Sequence, residues 1–154
     1  MKYTNTKAKL LIALQPSQSV DADKQYVELK AITELTNNYS TSKLDKTYYH
    51  NGGDQTSIIT GRQISLNVTC DYDDSDELHK YLRNLLFNQD FTKLNSQYMK
   101  LEIPKNSTHK DVITGKCCIS FSNGIPNGSA TDLQSLTFEI FPQDDPFTIK
   151  EENI

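Results

Sequence analysis

Residues 62–88 read RQISLNVTCDYDDSDELHKYLRNLLFN, and a change of period inside this stretch decides the fold. In residues 62–71, Ile64, Leu66, Val68 and Cys70 alternate with Ser65, Asn67, Thr69 and Asp71. Period two with one apolar row predicts an antiparallel strand that has one core face and one polar face. From Asp74 the period lengthens. Leu78, Leu82, Leu85 and Leu86 fall at i, i+4, i+7 and i+8, the stripe of an amphipathic helix over about 74–88, and these four leucines are its core face. Asp74 reads as the N-cap, with Glu77 three residues on as its capping-box partner. Asp71, Asp73, Asp74, Asp76 and Glu77 crowd the end of the helix where the dipole favours negative charge. An EF-hand loop counted from Asp71 would need Gly where Asp76 stands and Glu where Leu82 stands. The acidic run therefore reads as a helix start, and no metal or other cofactor is expected.

Working outward, residues 7–14 and 25–35 are strand candidates; in the second, Val27 and Leu29 alternate with Glu28 and Lys30, while Val27, Ala31 and Leu35 also fit a helix of period near 3.6. Three further alternating runs follow the helix, at 98–103, 112–122 and 133–141. The last two are joined by SNGIPNGSATD, whose Asn-Gly pairs mark a long hairpin connection. Residues 36–57 stand apart. They are polar and nearly without aliphatic side chains, yet hold Tyr39, Leu44, Tyr48, Tyr49 and His50 before an Asn-Gly-Gly turn. A loop this long is usually functional; a flexible hairpin is the alternative reading. Tyrosine supplies amphipathic contact area, so these five residues are the candidate contacts between subunits. From Pro142 the chain reads as an acidic tail.

The expected fold is mostly β (α+β). It is one antiparallel β-sandwich or barrel-like domain over 1–154, with one flanking helix, a protruding loop at 36–57 and flexible terminal arms. The 154 residues carry 16 basic and 20 acidic side chains, a net charge of −4. With only two arginines among the basic residues, the chain lacks the footprint of a phosphate-binding surface. No apolar run approaches the roughly 20 residues of a membrane helix, and residues 1–20 lack a signal-peptide core. Three cysteines without such a signal point to free thiols in a reducing compartment. Cys117 and Cys118 are adjacent in a strand and face opposite sides, which excludes a shared ligand sphere. His50, His79 and His109 read as solvated or interface side chains. No nucleophile elbow, P-loop or dinucleotide fingerprint is present, so catalysis is not expected.

The order of elements from residue 58 to 147 resembles the major tail protein, or tail tube protein, of long-tailed non-contractile bacteriophages. The strand GKCCISFS (115–122), the turn PNGSA (126–130) and the closing strand LQSLTFEIF (133–141) carry the likeness. The resemblance implies a structural virion protein and no enzyme. It implies hexameric rings that stack into a tube, assembled in the host bacterial cytoplasm, through which DNA passes without specific binding and without a membrane. It also implies partners: further copies of the chain, a tape measure protein inside the tube, and tail terminator and baseplate proteins. The loop and the terminal arms would join ring to ring. A DNA conduit must not grip phosphate, so the polar strand faces are its natural wall. The lumen-facing candidates are Glu28, Lys30, Ser135, Thr137 and Glu139, with Lys30 expected to be paired with a carboxylate or turned toward a neighbouring subunit. The alternatives are a tail terminator, a monomeric β-sandwich binding module, and an enzyme built on a carboxylate pair in the acidic segment.

Overall fold

A computed structural model describes residues 8–14, 25–88, 90–124, 130–131 and 133–154. Its strands are β1 (Lys9–Ala13), β2 (Tyr26–Glu28), β3 (Ile32–Thr47), β4 (Gln55–Asp71), β5 (Gln97–Pro104), β6 (His109–Asn123), β7 (Ser135–Pro142) and β8 (Thr148–Asn153). Helices α1 (Glu77–Asn88) and α2 (Phe91–Leu94) lie between β4 and β5. All pairings are antiparallel, in one sheet of order β2-β1-β5-β6-β7-β4-β3, with β8 also on β6. The expected PNGSA turn up to Ser129, with Ile125 and Asp132 beside it, and the residues of the N-terminal arm before Ala8 lie outside the described residues.

The outermost strands of this path, β2 and β3, are separated in sequence by only Leu29, Lys30 and Ala31. Seven flat strands about 4.8 Å apart would put them about 29 Å from each other. The connection spans at most about 14 Å, so the sheet must curl. It does not become a barrel, because among the described residues no bond pairs β2 with β3. The single strand expected at 25–35 is instead broken by an elbow. Ala31 takes φ 61°, a left-handed conformation that bends the chain and is unfavourable for a residue with a Cβ. Three bonds from three elements hold the elbow. Leu29 N–H donates to Leu10 C=O at 2.8 Å, and Asp71 N–H donates to Ala31 C=O at 3.0 Å. His79 Nε2–H donates to Lys30 C=O at 2.8 Å, while His79 Nδ1 accepts from Asp73 N–H at 3.0 Å. That arrangement requires the neutral Nε2–H tautomer. His79 is fully buried, so the expectation of a solvated or interface side chain is corrected: its two nitrogens serve backbone groups that would otherwise be unpaired.

One sheet face and α1 share the core. Leu10, Ile12, Leu66, Val68, Met99, Ile119, Phe138 and Ile140 pack with Leu78, Leu82 and Leu85. Leu86 is only partly buried against this cluster. The capping assignment also shifts. Asp76, not Asp74, accepts from the Leu78 and His79 N–H groups at 2.9 and 3.2 Å, and the helix opens at Glu77. Gly124 lets the end of β6 approach the helix, since a Cβ there would stand 2.0 Å from Leu86 Cδ2. The short α2 was not visible as a periodic pattern; Asp90 caps it by accepting from Thr92 and Lys93 N–H. The acidic tail is corrected as well: residues 148–153 form β8, paired from Thr148↔Thr114 to Asn153↔His109.

Two substitutions test this account. Leu82→Asp places an unpaired carboxylate in the core and is expected to lower stability by at least ~3 kcal/mol. His79→Leu keeps the volume apolar but removes the bonds to Lys30 C=O and Asp73 N–H, at about 0.5–1.5 kcal/mol each. Urea midpoints measure both; an unchanged midpoint for either variant contradicts the corresponding contact.

Candidate assembly surface

The segment expected to be a loop at 36–57 is two strands of a hairpin. β3 and β4 pair from Ile32↔Cys70 to Thr47↔Gln55 and are joined by a 3-10 turn at Tyr49–Asn51 and two left-handed glycines, Gly52 and Gly53. Apolar alternation was the wrong signal to look for here. Threonine, tyrosine and isoleucine are enriched in strands, and the ladder satisfies the main chain. Only Leu66 to Asp71 of β4 also pair with β7. Residues 37–65 therefore form a free two-stranded ribbon, about 35 Å long at about 3.4 Å per residue. The register fixes its direction: Leu66, Ile140 and Ile119 share a row. From that row the ribbon runs toward the sheet end where β5 finishes at Pro104 and β6 begins at His109.

The ribbon leaves large apolar side chains in solvent on both faces. A bulge near Ser42 and Lys43 sets Leu44 opposite Ile58 and Lys43 opposite Ile59. Ile59 is 70% exposed and Tyr39 54%. Leu44, Tyr48, Tyr49 and Ile58 are exposed too. Tyr48 and His50 rings approach to 5.4 Å. Polar contacts such as Ser57 Oγ to Asp45 Oδ1 stiffen the ribbon but cover none of these groups. Sequence reasoning named Tyr39, Leu44, Tyr48, Tyr49 and His50; it missed Ile58 and Ile59, which lie beyond the boundary chosen for the loop.

The sheet face opposite the core carries most of the other candidates. Glu139 pairs with Asn67 and Ser120, Thr137 with Thr69, and Ser135 with Asp71. The Thr69 and Thr137 hydroxyls lie 3.2 Å apart, and Asn123 Nδ2 donates to Ser135 Oγ at 3.4 Å. Glu28 joins the same face through the row Glu28–Leu11–Lys100–Thr114. Lys30 does not. It stands in the elbow rather than on a strand, exposed, and among the described residues no carboxylate lies within ion-pair distance. The same face carries lysines held by acids: Glu102 Oε1 lies 3.0 Å from Lys110 Nζ and 3.5 Å from Lys100 Nζ, and Lys116 lies 3.6 Å from Asp144. Partial burial pushes the Glu102 carboxyl up. The Lys110 hydrogen bond and the charges of Lys110 and Lys100 outweigh this and hold it below the ordinary glutamate value.

Among the described residues no three His, Cys, Asp or Glu side chains converge as a metal site. Cys70 is buried, its thiol pushed up to about 11 chiefly by burial. Burial also pushes the Cys117 thiol up, while Cys118 on the opposite face is half-buried. Among the described residues no helix is long and apolar enough to cross a membrane.

No protein-family model matches the chain, and no curated protein matches it in sequence. Solved structures do match in shape. The tail of an empty gene transfer agent particle, refined with C6 symmetry, superposes with a TM-score of 0.66 at 11% identity, over 97% of this chain and 99% of that one. The virion of a native gene transfer agent gives 0.60 at 15% identity, over 96% and 99%. The tube-terminating cap of an anti-feeding prophage gives 0.58 at 6% identity, over 99% and 94%. The fold is tail-tube-like. The likeness also reaches a sheath–tube complex of a contractile injection system, with a TM-score of 0.52, so the fold is not confined to non-contractile tails.

A stability measurement tests the charge cluster on the polar face. A carboxyl held below its ordinary value stabilises the fold above that value and loses the contribution as pH falls through it. Glu102→Gln is therefore expected to lower the urea midpoint more at about pH 7 than at about pH 3. An equal loss at both contradicts the pairing.

Proposed function

We propose that the chain is a structural subunit of a phage-type tail tube. Six copies close into a ring, rings stack, and DNA passes along the bore during ejection. The observation that carries this reading is the ribbon at 37–65, exposed and apolar on both faces, on a fold matched end to end by a six-fold symmetric tail. A free ribbon edge with uncovered isoleucines is an aggregation hazard for a monomer and a functional device for a subunit that must meet copies of itself. The finer assignment, to the tube of a non-contractile tail assembled in the bacterial cytoplasm, extends this reading. So do the tape measure, terminator and baseplate partners. Matches to cap and terminator chains favour one second reading, a tail terminator that closes the tube with a single ring.

The face bearing Ser135, Thr137, Glu139 and Glu28 is the lumen wall in this reading. Its chemistry suits a conduit. Hydroxyl and amide side chains do not hold phosphate by charge, and Lys100 and Lys110 are engaged by Glu102, which weakens their grip on a passing duplex.

The ribbon can be removed in register. Replacing residues 41–62 by a two-residue Asn-Gly turn joins Ser40 to Gln63, which are paired in the ladder. The shortened protein is expected to keep the wild-type unfolding midpoint, since none of the residues lost whose burial is described is buried, and to form no tubes by electron microscopy. Normal tubes from it contradict the role given to the ribbon. Wild-type tubes are expected to release duplex DNA in a filter-retention assay at about 0.15 M salt; retention contradicts the lumen assignment.

A further inference from the structure

β6 has a stretch of open edge. β5 covers it only as far as Cys117, which pairs with Gln97. Beyond that point the chain preceding β5 turns away into α2, and residues 118–121 keep β7 on one side alone. Among the described residues no main-chain bond reaches them on the other side. In a strand, N–H and C=O groups of alternate residues point to each edge, so this edge presents unpaired donors and acceptors. It is also the floor of a groove of about 350 Å³ lined by Leu86, Phe91 and Leu94 from the helices and by Cys118, Ile119, Ser120 and Phe121 of β6. Phe91 on its rim is 75% exposed. A strand edge beside apolar walls is the geometry of strand addition, in which main-chain bonds supply affinity and wall pockets select alternate side chains.

We infer that this groove is the seat for the β4 side of the ribbon, residues 55–60, of a second copy of the chain. The inference rests on the tail-tube reading and adds the acceptor surface that the reading lacks. Three observations select the occupant. The groove needs an extended segment with a free edge, and among the described residues β3 alone pairs with residues 55–60. It needs apolar side chains for the walls, and Ile58 and Ile59 are exposed and point to opposite sides. Finally, donor and acceptor lie toward opposite ends of the sheet. The ribbon runs toward the Pro104 and His109 end, while the groove lies at the other end, past the start of β5. A contact between opposite ends is heterologous; where its rotation does not close a ring it repeats as an open stack, which is the case axial stacking requires.

Native Cys118 in the groove wall provides the test. Antiparallel neighbours stand about 4.5–5.5 Å apart at Cα, inside the disulfide range of about 4.4–6.8 Å. Ile58→Cys and Ile59→Cys are made separately and oxidised mildly after assembly, with Cys118→Ser as the control background; Cys70 and Cys117 are buried. The expected result is a ladder of multiply linked copies from at least one variant, lost in the control, with peptide mapping that joins the new cysteine to Cys118. In parallel, a photoreactive group on Cys118 is expected to capture residues 55–60 of a differently labelled copy. Assemblies that form without any link, links that stop at dimers, or capture of another segment (residues 1–7 and 125–129 included) overturn the inference while the tail-tube reading stands. If no assemblies form from the wild-type chain under any condition, the tail-tube reading fails and this inference fails with it.

Discussion

Everything in the molecule hangs on the elbow at residues 29–31. A seven-strand path whose two ends are consecutive in sequence can exist only if the sheet curls, and the curl is fixed where Ala31 turns left-handed. That conformation costs about 1–2 kcal/mol and survives because β1, β4 and α1 each hold one of the three elbow residues. The bond from His79 matters most, since it couples the start of the helix to the point where the sheet bends. The same histidine accepts from Asp73, stacks on Tyr72 at 6.3 Å between ring centroids, and is followed one turn later by Leu82 in the core. The direction in which β3 leaves the elbow is the direction of the ribbon.

The ribbon and the polar face follow from opposite solutions to one problem. A curled sheet with one helix can bury only its inner face. On the outer face the sequence places hydroxyls, amides and paired charges, which tolerate water or a passing polyanion. On the ribbon it leaves isoleucine, leucine and tyrosine exposed, which tolerate neither for long. Placing the adhesive groups on a projecting element, and away from the flat outer face, separates the contact surface from the surface proposed to line the bore.

Much of this was legible in the sequence where periodicity and burial coincide. The alternation at 62–71 and the leucine stripe after it are where β4 and α1 lie, because a buried face imposes its period on the residues that build it. Legibility failed where main-chain bonding acts without burial. The ribbon has no buried face, so nothing enforces alternation, and its threonines and tyrosines read as a loop. Strand β8 failed in the same way: an acidic run reads as tail, and pairing with β6 makes it a strand. The elbow was hidden because Ala31 announces no positive φ, and His79 because its role depends on a carbonyl 49 residues away. Among the candidate residues, Lys30 was placed beside Glu28 by assuming an unbroken strand. Ile58 and Ile59 were overlooked because the apolar pair fell outside the expected boundaries.

The central claim is that this chain builds a tube from copies of itself. The most direct measurement is electron microscopy of the purified wild-type protein as concentration rises, with symmetry read from end-on views. The account predicts six-fold rings and stacked tubes with an open bore. A protein that stays monomeric at all concentrations, or that forms only closed dimers, contradicts it.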